Sequence, residues 1–237
     1  MHTRHTASAF AIAAIAALTL AACGGDDGSP PGSNPGSNPG HGASPAPQAS
    51  AQLKDLDLDV QEEMLKPGET ATLEVDVEDV YDRDVPNANV QLSFVKNEAG
   101  ATLGAAQLRT NWEGEAQTTI KFGNKGAVVV KATSGDLSTL LGMVVKPLGV
   151  GEEGLHWELP AVVEIGPGDI VRLDDADDGL GGRSYSVNSA DFTLNQCGDD
   201  VCLKAPAGMR AGTYDLTFTV TDTASSTLDI PVQVVVR

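Results

Sequence analysis

Apolar and polar residues alternate one by one over most of the chain after residue 53. The clearest run is 56–60, where leucine and valine alternate with aspartate, and the same period recurs in 73–77, 90–94 and 116–122. Successive side chains of a strand point to opposite faces, so this pattern predicts strands with one buried and one solvated face, as in an antiparallel sandwich. Aromatic residues make up only 4% of the chain, so we expect cores built from Val, Leu, Ile and Ala.

Glycine and proline divide this strand-forming part in two. Residues 146–154 contain Pro147 and three glycines without apolar periodicity, which predicts a domain at 53–147 and a second at 155–237. The predicted fold class is all-β, with two tandem Ig-like antiparallel β-sandwiches of short strands. The connection is short, so we expect the domains to sit end to end. In the second domain, the Tyr214 hydroxyl is expected to bond nearby backbone.

The first 22 residues predict a signal peptide. Arg4 precedes an almost uninterrupted apolar run at 7–20, which is too short to span a bilayer. The motif Leu-Ala-Ala-Cys at 20–23 resembles a bacterial lipoprotein signal, which implies that the mature chain starts at Cys23 and is lipidated on its sulfur. Gly24 follows the cysteine directly, and a residue other than Asp at this position resembles lipoproteins that are sorted to the outer membrane. The alternative is an ordinary secretory signal with an incidental cysteine.

Residues 23–52 predict a tether. After Cys23 the segment is rich in Gly, Ser, Pro, Asn and Ala, and the stretch 32–40 repeats Gly-Ser-Asn-Pro. It has too few apolar residues to form a core, so we expect a disordered linker. Its expected reach is roughly 30 Å as a coil and about 90 Å when stretched.

A series of motifs in the first domain carries a family resemblance. They are Lys-Pro-Gly-Glu at 66–69, the strand 73–79, the segment 85–94, Thr-Asn-Trp-Glu-Gly-Glu-Ala at 110–116, and 128–135. In this order they resemble the bacterial Ig-like domains of the invasin and intimin type. The resemblance implies a rod segment or an adhesive tip of a surface protein, with no catalytic residues. Arg83-Asp84 departs from the pattern, because the family usually has an Asn-Gly or Asp-Gly turn there.

An acidic loop in the second domain resembles the calcium-binding loop of cadherin-like repeats. The resemblance implies calcium ligands at Asp175, Asp177 and the late-strand Asp222, and Asp174 and Asp178 are further candidate ligands in the same loop. Calcium prefers six to eight hard oxygen ligands, which adjacent carboxylates on a turning backbone can supply. The alternative is a solvated acidic turn, and calcium is the only cofactor that the sequence indicates.

The two remaining cysteines predict a disulfide. Without Cys23, the exported chain keeps the even pair Cys197 and Cys202, separated by a turn-forming Gly-Asp-Asp-Val. A bridge across a hairpin would stabilise the domain by roughly 2 kcal/mol. A redox-active pair is the alternative.

Charge and composition exclude several classes of function. The chain has 15 Lys and Arg against 33 Asp and Glu, a net charge of −18, which argues against nucleic acid and anionic lipid surfaces as direct partners. His156 is the only histidine of the strand-forming part, and no nucleophilic, zinc or phosphate-binding motif accompanies it, so we expect no enzyme. We expect a lipid-anchored adhesion or binding module of the cell envelope, with a protein or glycan ligand. The alternative is a structural spacer or assembly subunit of an envelope complex.

Overall fold

The structure, a computed structural model, describes residues 52–62, 65–147, 154–175, 183–198 and 200–237. These residues contain strands and no helix, which confirms the all-β prediction. The strands are β1 (Leu53–Val60), β2 (Thr70–Asp79), β3 (Asn89–Asn97), β4 (Thr102–Leu103), β5 (Gln107–Arg109), β6 (Glu115–Lys121), β7 (Gly126–Ser134), β8 (Leu137–Val145), β9 (Leu155–Pro160), β10 (Val162–Ile165), β11 (Ile170–Asp175), β12 (Ser184–Val187), β13 (Thr193–Cys197), β14 (Asp200–Lys204), β15 (Gly212–Thr221) and β16 (Thr227–Val236).

Four sheets are formed by these strands. Sheet A has the order β1-β2-β6-β4, sheet B β5-β3-β7-β8-β9, sheet C β10-β16-β15-β12, and sheet D β11-β14-β13. All pairings are antiparallel except that of β10 with β16, which is parallel. Sheets A and B enclose the first core, and sheets C and D with β9 enclose the second.

The predicted alternation appears directly in the burial of the sheet A strands. In β1, Leu56, Leu58 and Val60 are buried, and the aspartates between them are exposed. The first core is made of Val, Leu, Ile, Ala and Met with one buried ring, Phe122. The first core is therefore aliphatic, as the low aromatic content predicts, whereas the second core departs from this expectation because it contains the buried rings of Trp157, Phe192 and Phe218.

Strands β7 and β8 depart from the expected alternation because they are buried on both faces. In β8, Leu141 and Met143 belong to the first core, whereas Leu140 belongs to the second. In β7, Val128 faces the first core and Val129 the second. A continuous apolar run is the usual sequence of a strand covered on both sides, so the local sequence agrees with this position.

The two sandwiches do not sit end to end as the sequence suggested. Strand β9, which opens the second sandwich, pairs with β8 and thereby becomes the edge strand of sheet B; Leu155 lies opposite Val144 and Pro160 opposite Thr139. The side chains of Leu155 and Trp157 are buried in the second core. Sheet B therefore carries the first core on one face and part of the second core on the other. The domain limits of 53–147 and 155–237 stay predictions.

A glycine allows the second sandwich to approach β8. A Cβ atom on Gly142 would lie 2.6 Å from Cδ1 of Ile230 and 2.9 Å from Cδ2 of Leu228, closer than real Cβ atoms come to such neighbours. Ile230 and Leu228 are fully buried in β16. Gly142 thus removes the side chain that would keep β16 away from β8.

Polar contacts join the sandwiches on either side of this apolar contact. The Lys146 ammonium lies 3.0 Å from Oδ2 of Asp222 and donates to Oγ of Ser226 at 2.6 Å. On β9, the Glu158 carboxylate accepts from the backbone N–H of Leu58 at 2.6 Å and from the Thr139 hydroxyl at 2.9 Å.

Two further local expectations are met in the second sandwich. Cys197 and Cys202 form a disulfide across the β13–β14 hairpin, with their Cα atoms 5.9 Å apart. The Tyr214 hydroxyl donates to the carbonyl of Arg210 at 2.9 Å.

Replacing Gly142 by alanine is expected to destabilise the protein. The new Cβ must push Ile230 and Leu228 out of a filled core, and overpacking of this kind costs typically about 1–3 kcal/mol. Thermal melting of the purified chain measures the effect. The matched control is Gly208→Ala, because a Cβ at Gly208 has no neighbour within 4 Å. An equal midpoint for Gly142→Ala and the wild type would contradict the close approach of β16.

Candidate binding site

The residues singled out in the sequence fall in different parts of the molecule. Cys23 lies outside the described residues, and so do Asp177 and Asp178. Asp174 and Asp175 end strand β11, where they lie opposite Val201 and Asp200 of β14. The disulfide of Cys197 and Cys202 staples the hairpin next to this strand.

Asp222 directly follows β15 and already has partners for both carboxylate oxygens. Oδ1 accepts from the Ser226 amide at 2.7 Å, and Oδ2 accepts from Lys146 at 3.0 Å. Burial raises the pKa of this carboxyl, but the bonds from Lys146 and Ser226 outweigh it and hold the pKa below its usual range. No group of three or more potential metal ligands forms among the described side chains. Calcium binding by the acidic loop stays a prediction.

Two turns at one end of the first sandwich carry exposed aromatic side chains that face no core. Tyr81, in the loop from β2 to β3, is 71% exposed, and Trp112, in the turn from β5 to β6, is 77% exposed. The two turns are neighbours: the Asn87 amide donates to the Thr110 carbonyl at 3.0 Å, and the Thr110 hydroxyl donates to the Val85 carbonyl at 2.6 Å. We call Tyr81, Arg83 and Trp112 the aromatic end.

The β2–β3 loop is held by a buried carboxylate. Asp79 is only 4% exposed, and it accepts from the amides of Tyr81 at 2.8 Å and Arg83 at 3.3 Å. The Arg83 guanidinium closes the loop by donating to Oδ2 of Asp79 from Nε at 2.9 Å and from Nη2 at 2.5 Å. The guanidinium also lies 5.0 Å from the centre of the Tyr81 ring, which is cation–π distance. The bond from Arg83 is the main cause that lowers the pKa of Asp79.

The β5–β6 turn is held by Asn111. Its side-chain oxygen accepts from the amides of Glu113 at 2.7 Å and Glu115 at 3.1 Å, which is an Asx turn. Gly114 has φ +78°, and a Cβ there would lie 2.9 Å from the Val77 carbonyl oxygen, so only glycine fits. Trp112 is therefore presented on a rigid turn and not on a loose loop.

A chemical consequence follows from the exposure of these side chains. Trp, Tyr and Arg dominate the binding energy of protein interfaces, because they offer large contact areas together with polar atoms. Preorganised turns also reduce the entropy lost on binding. The arrangement can recognise a ligand, and its residues include no nucleophile with an adjacent base.

The sequence contains both segments without indicating that they form one surface. Trp112 belongs to a motif of the family resemblance, and Arg83 lies where the chain departs from the usual turn. A bulky aromatic between asparagine and glutamate, in a turn that needs no core residue, is the signal that could have found the site.

The outer face of β1 and β2 carries a row of carboxylates. They face one another in cross-strand pairs, and we call them the acidic row: Asp55 with Glu78, Asp57 with Asp76, and Asp59 with Glu74. Like charges directly opposite one another destabilise a sheet. Partial burial of the Asp57 carboxylate, which removes part of its hydration, is the largest cause that raises its pKa to about 6, and the charges of Asp55 and Asp76 raise it further. The side chain still reaches solvent.

Carboxylates accept from the backbone amides at the edge of β1. This strand ends sheet A, and three of its amides donate to side-chain carboxylates: Leu56 to Asp55, Leu58 to Glu158 and Val60 to Asp59. An edge with unpaired amides is a template for pairing with another strand. Asp55 and Asp59 of the acidic row, together with Glu158 of β9, therefore satisfy amides of this sheet edge, although the charges of the row repel one another.

The acidic row predicts a stability that falls as the pH rises. The pKa of Asp57 is higher in the folded state than its ordinary value, so the folded chain holds this proton more tightly, and the stabilisation is lost between about pH 4 and pH 6. Asp57→Asn should raise the melting temperature at pH 7 and leave it little changed at pH 4. The control is Asp191→Asn, an exposed carboxylate outside the row. Equal effects of the two substitutions at pH 7 would contradict the repulsion.

A groove of about 590 Å³ lies where the sandwiches meet. Its lining includes Asp57 of β1, Asp136 of the β7–β8 turn, Glu158 of β9 and Glu164 of β10. Its surroundings are acidic like the row. Among the described residues, no helix is long and apolar enough to cross a membrane.

The sheets define an all-β protein built from Ig-like sandwiches. The chain is similar to the solved structure of the D00-D0 domain of intimin, with 27% identity and a TM-score of 0.32 over 41% of this chain and 48% of that one. It is also similar to a C-terminal fragment of intimin that was solved in complex with the intimin-binding domain of the translocated intimin receptor. That match has 16% identity and a TM-score of 0.31 over 77% of this chain and 64% of the fragment. Domains 4 and 5 of the S-layer protein SbsC are also similar, with 19% identity and a TM-score of 0.33 over 40% of this chain and 53% of that one.

The chain spans about half to two thirds of the length of the intimin structures named here. No protein-family model matches the chain, and no curated protein matches it.

Proposed function

We propose that this protein is a non-catalytic binding module of the bacterial cell envelope that holds its ligand at the aromatic end. The observation that carries the proposal is the exposure of Tyr81 and Trp112 on two neighbouring turns, each held by its own hydrogen bonds. A folded chain gains nothing by leaving an indole 77% exposed on a rigid turn. A partner that covers it gains the burial of a large apolar surface.

The proposal includes the lipid anchor that the N-terminal motif implies. Lipidation of Cys23 would hold the mature chain at the outer membrane. The linker 23–52 would let the sandwiches move as far as roughly 30–90 Å from this anchor. Adhesion to another surface and binding inside the envelope are both within this reach.

One contact favours a partner close to the membrane, as in an assembly subunit. The Val80 amide donates to the carbonyl of Gln52 at 3.1 Å, so the chain leaves the linker beside Tyr81. The aromatic end and the predicted tether therefore share one end of the first sandwich. This second candidate, a structural spacer or assembly subunit, binds another protein of an envelope complex, whereas an adhesin binds a ligand outside the cell.

Anchoring and membrane face are tested in intact cells. Wild-type protein should incorporate radiolabelled palmitate and fractionate with outer membranes, and Cys23→Ser should do neither. Label in the Cys23→Ser protein would contradict the anchor. Protease added to intact cells should remove the sandwiches of an adhesin and spare those of a periplasmic subunit.

The binding surface is tested by photocrosslinking in the producing cell. A photoreactive amino acid at position 112 should give covalent adducts with the ligand, because the ligand covers Trp112. The matched control is the same amino acid at Ile170, which is 60% exposed on β11 of the second sandwich. Tyr81→Ala in the position-112 variant should reduce the adduct at least tenfold, since a hot-spot residue contributes about 2 kcal/mol or more. Equal yields at positions 112 and 170 would contradict the proposal.

A further inference from the structure

A shallow depression of about 390 Å³ adjoins the Trp112 turn. Strand β5, the turn residue Asn111 and strand β6 form its walls, and its lining residues are Leu108, Arg109, Asn111, Glu115, Ala116 and Gln117. The volume falls within the range of about 300–1,000 Å³ that is typical of sites for small ligands. We infer that this depression, together with Trp112, binds a saccharide. The inference rests on the proposed binding function and names its ligand class.

The polar side chains of the lining suit vicinal hydroxyl groups. Arg109 offers guanidinium donors, Glu115 offers carboxylate acceptors, and the side-chain amide of Gln117 offers both. Asn111 offers only the N–H groups of its side chain, because its side-chain oxygen already accepts from two backbone amides of the turn. Each sugar hydroxyl donates one hydrogen bond and accepts others, so a ring with adjacent hydroxyls can satisfy donors and acceptors at once. Only Leu108 and Ala116 are apolar, which is too little for an apolar ligand.

The charge of the lining favours a neutral ligand. Arg109 and Glu115 carry opposite charges, so the depression has a formal charge of zero, whereas the chain as a whole carries −18. Glu115 and Gln117 lie opposite Asp76 and Glu74 of the acidic row, and this negative neighbourhood repels a polyanion. Most hexose and N-acetylhexosamine units are neutral.

Trp112 supplies the apolar half of such a site. One face of a pyranose ring carries C–H groups that pack on an aromatic face, and the exposed indole is available for this contact. Asn111 belongs to both parts, because it lines the depression while its side-chain oxygen fixes the turn that presents Trp112. The backbone also closes this turn, with the Asn111 amide donating to the Glu115 carbonyl at 2.7 Å. The site is therefore formed before the ligand arrives.

Hydrogen bonds of the lining show which side chain to change. Gln117 donates to Oε1 of Glu74 at 3.2 Å on the outer face of sheet A. Gln233 of β16 is a matched exposed glutamine, since it donates to Oδ1 of Asp215 at 3.3 Å in the second sandwich. Each alanine substitution removes one strand glutamine and one hydrogen bond to a carboxylate. If only Gln117→Ala weakens ligand binding, the loss is therefore due to the depression and not to a general effect on the fold.

The test is a glycan microarray of neutral and charged saccharides, probed with the labelled full chain carrying Cys23→Ser. We expect binding to one or more neutral saccharides, followed by a saturable change in the emission of Trp112 when the same free saccharide is titrated. The other tryptophan, Trp157, is 4% exposed and so responds little. Trp112→Ala and Gln117→Ala should weaken binding at least tenfold, and Gln233→Ala should not.

Three outcomes overturn the inference. They are the absence of any saccharide signal, a signal that all three variants keep, and a preference for charged saccharides that survives Trp112→Ala. If no saccharide binds but crosslinking at position 112 yields a protein adduct, the ligand is a protein, and the proposed function stands without this inference. If neither experiment gives a signal, the proposed function fails as well.

Discussion

Strand β8 is buried on both of its faces, and the two cores of the molecule meet across it. Leu141 and Met143 face the first core, and Leu140 faces the second, while the missing side chain of Gly142 leaves room for Ile230 of β16. Protein interiors are close-packed, so a strand in this position ties the packing of one core to that of the other. The pairing of β9 with β8 extends the same sheet into the second sandwich. Hence the two sandwiches form one structural unit that shares a sheet, and they are not independent domains joined only by a linker.

This arrangement has a consequence for the aromatic end. The β2–β3 loop and the β5–β6 turn are fixed by Asp79 and Asn111, and the strands that carry them belong to sheets A and B. Sheet B is held in turn by the second sandwich through β8 and β9. The turns that carry Tyr81 and Trp112 are thus supported by both sheets of the first sandwich and, through sheet B, by the second sandwich. A ligand that covers them meets a surface that needs little ordering, and this lowers the entropy cost of binding.

The alternation of leucine and aspartate in β1 was enough to predict strands and an all-β fold, because period two has one structural explanation. The joining of the sandwiches was not predicted, although its signal was present. The unbroken valine run of β7 and the paired leucines of β8 are typical of strands covered on both faces, but a short apolar run does not say what covers it. The role of Arg83 also depends on tertiary structure, since its partner Asp79 becomes a buried acceptor only when the loop folds. Likewise, the sequence places Trp112 in a turn, but only the tertiary structure shows that this turn lies beside the loop of Tyr81.

The most direct test of the shared sheet is denaturant unfolding of the purified chain followed at two places. Trp157 fluorescence reports the second core, since this side chain is buried there against Phe218 and Tyr185. Native-state hydrogen exchange of the amides of Leu73 and Val75 in β2 reports the first core. If β8 couples the cores, the free energy of unfolding from Trp157 fluorescence should equal the free energy of opening from exchange of the β2 amides. Two separate transitions, with one core melting while the other keeps its native protection, would contradict the account.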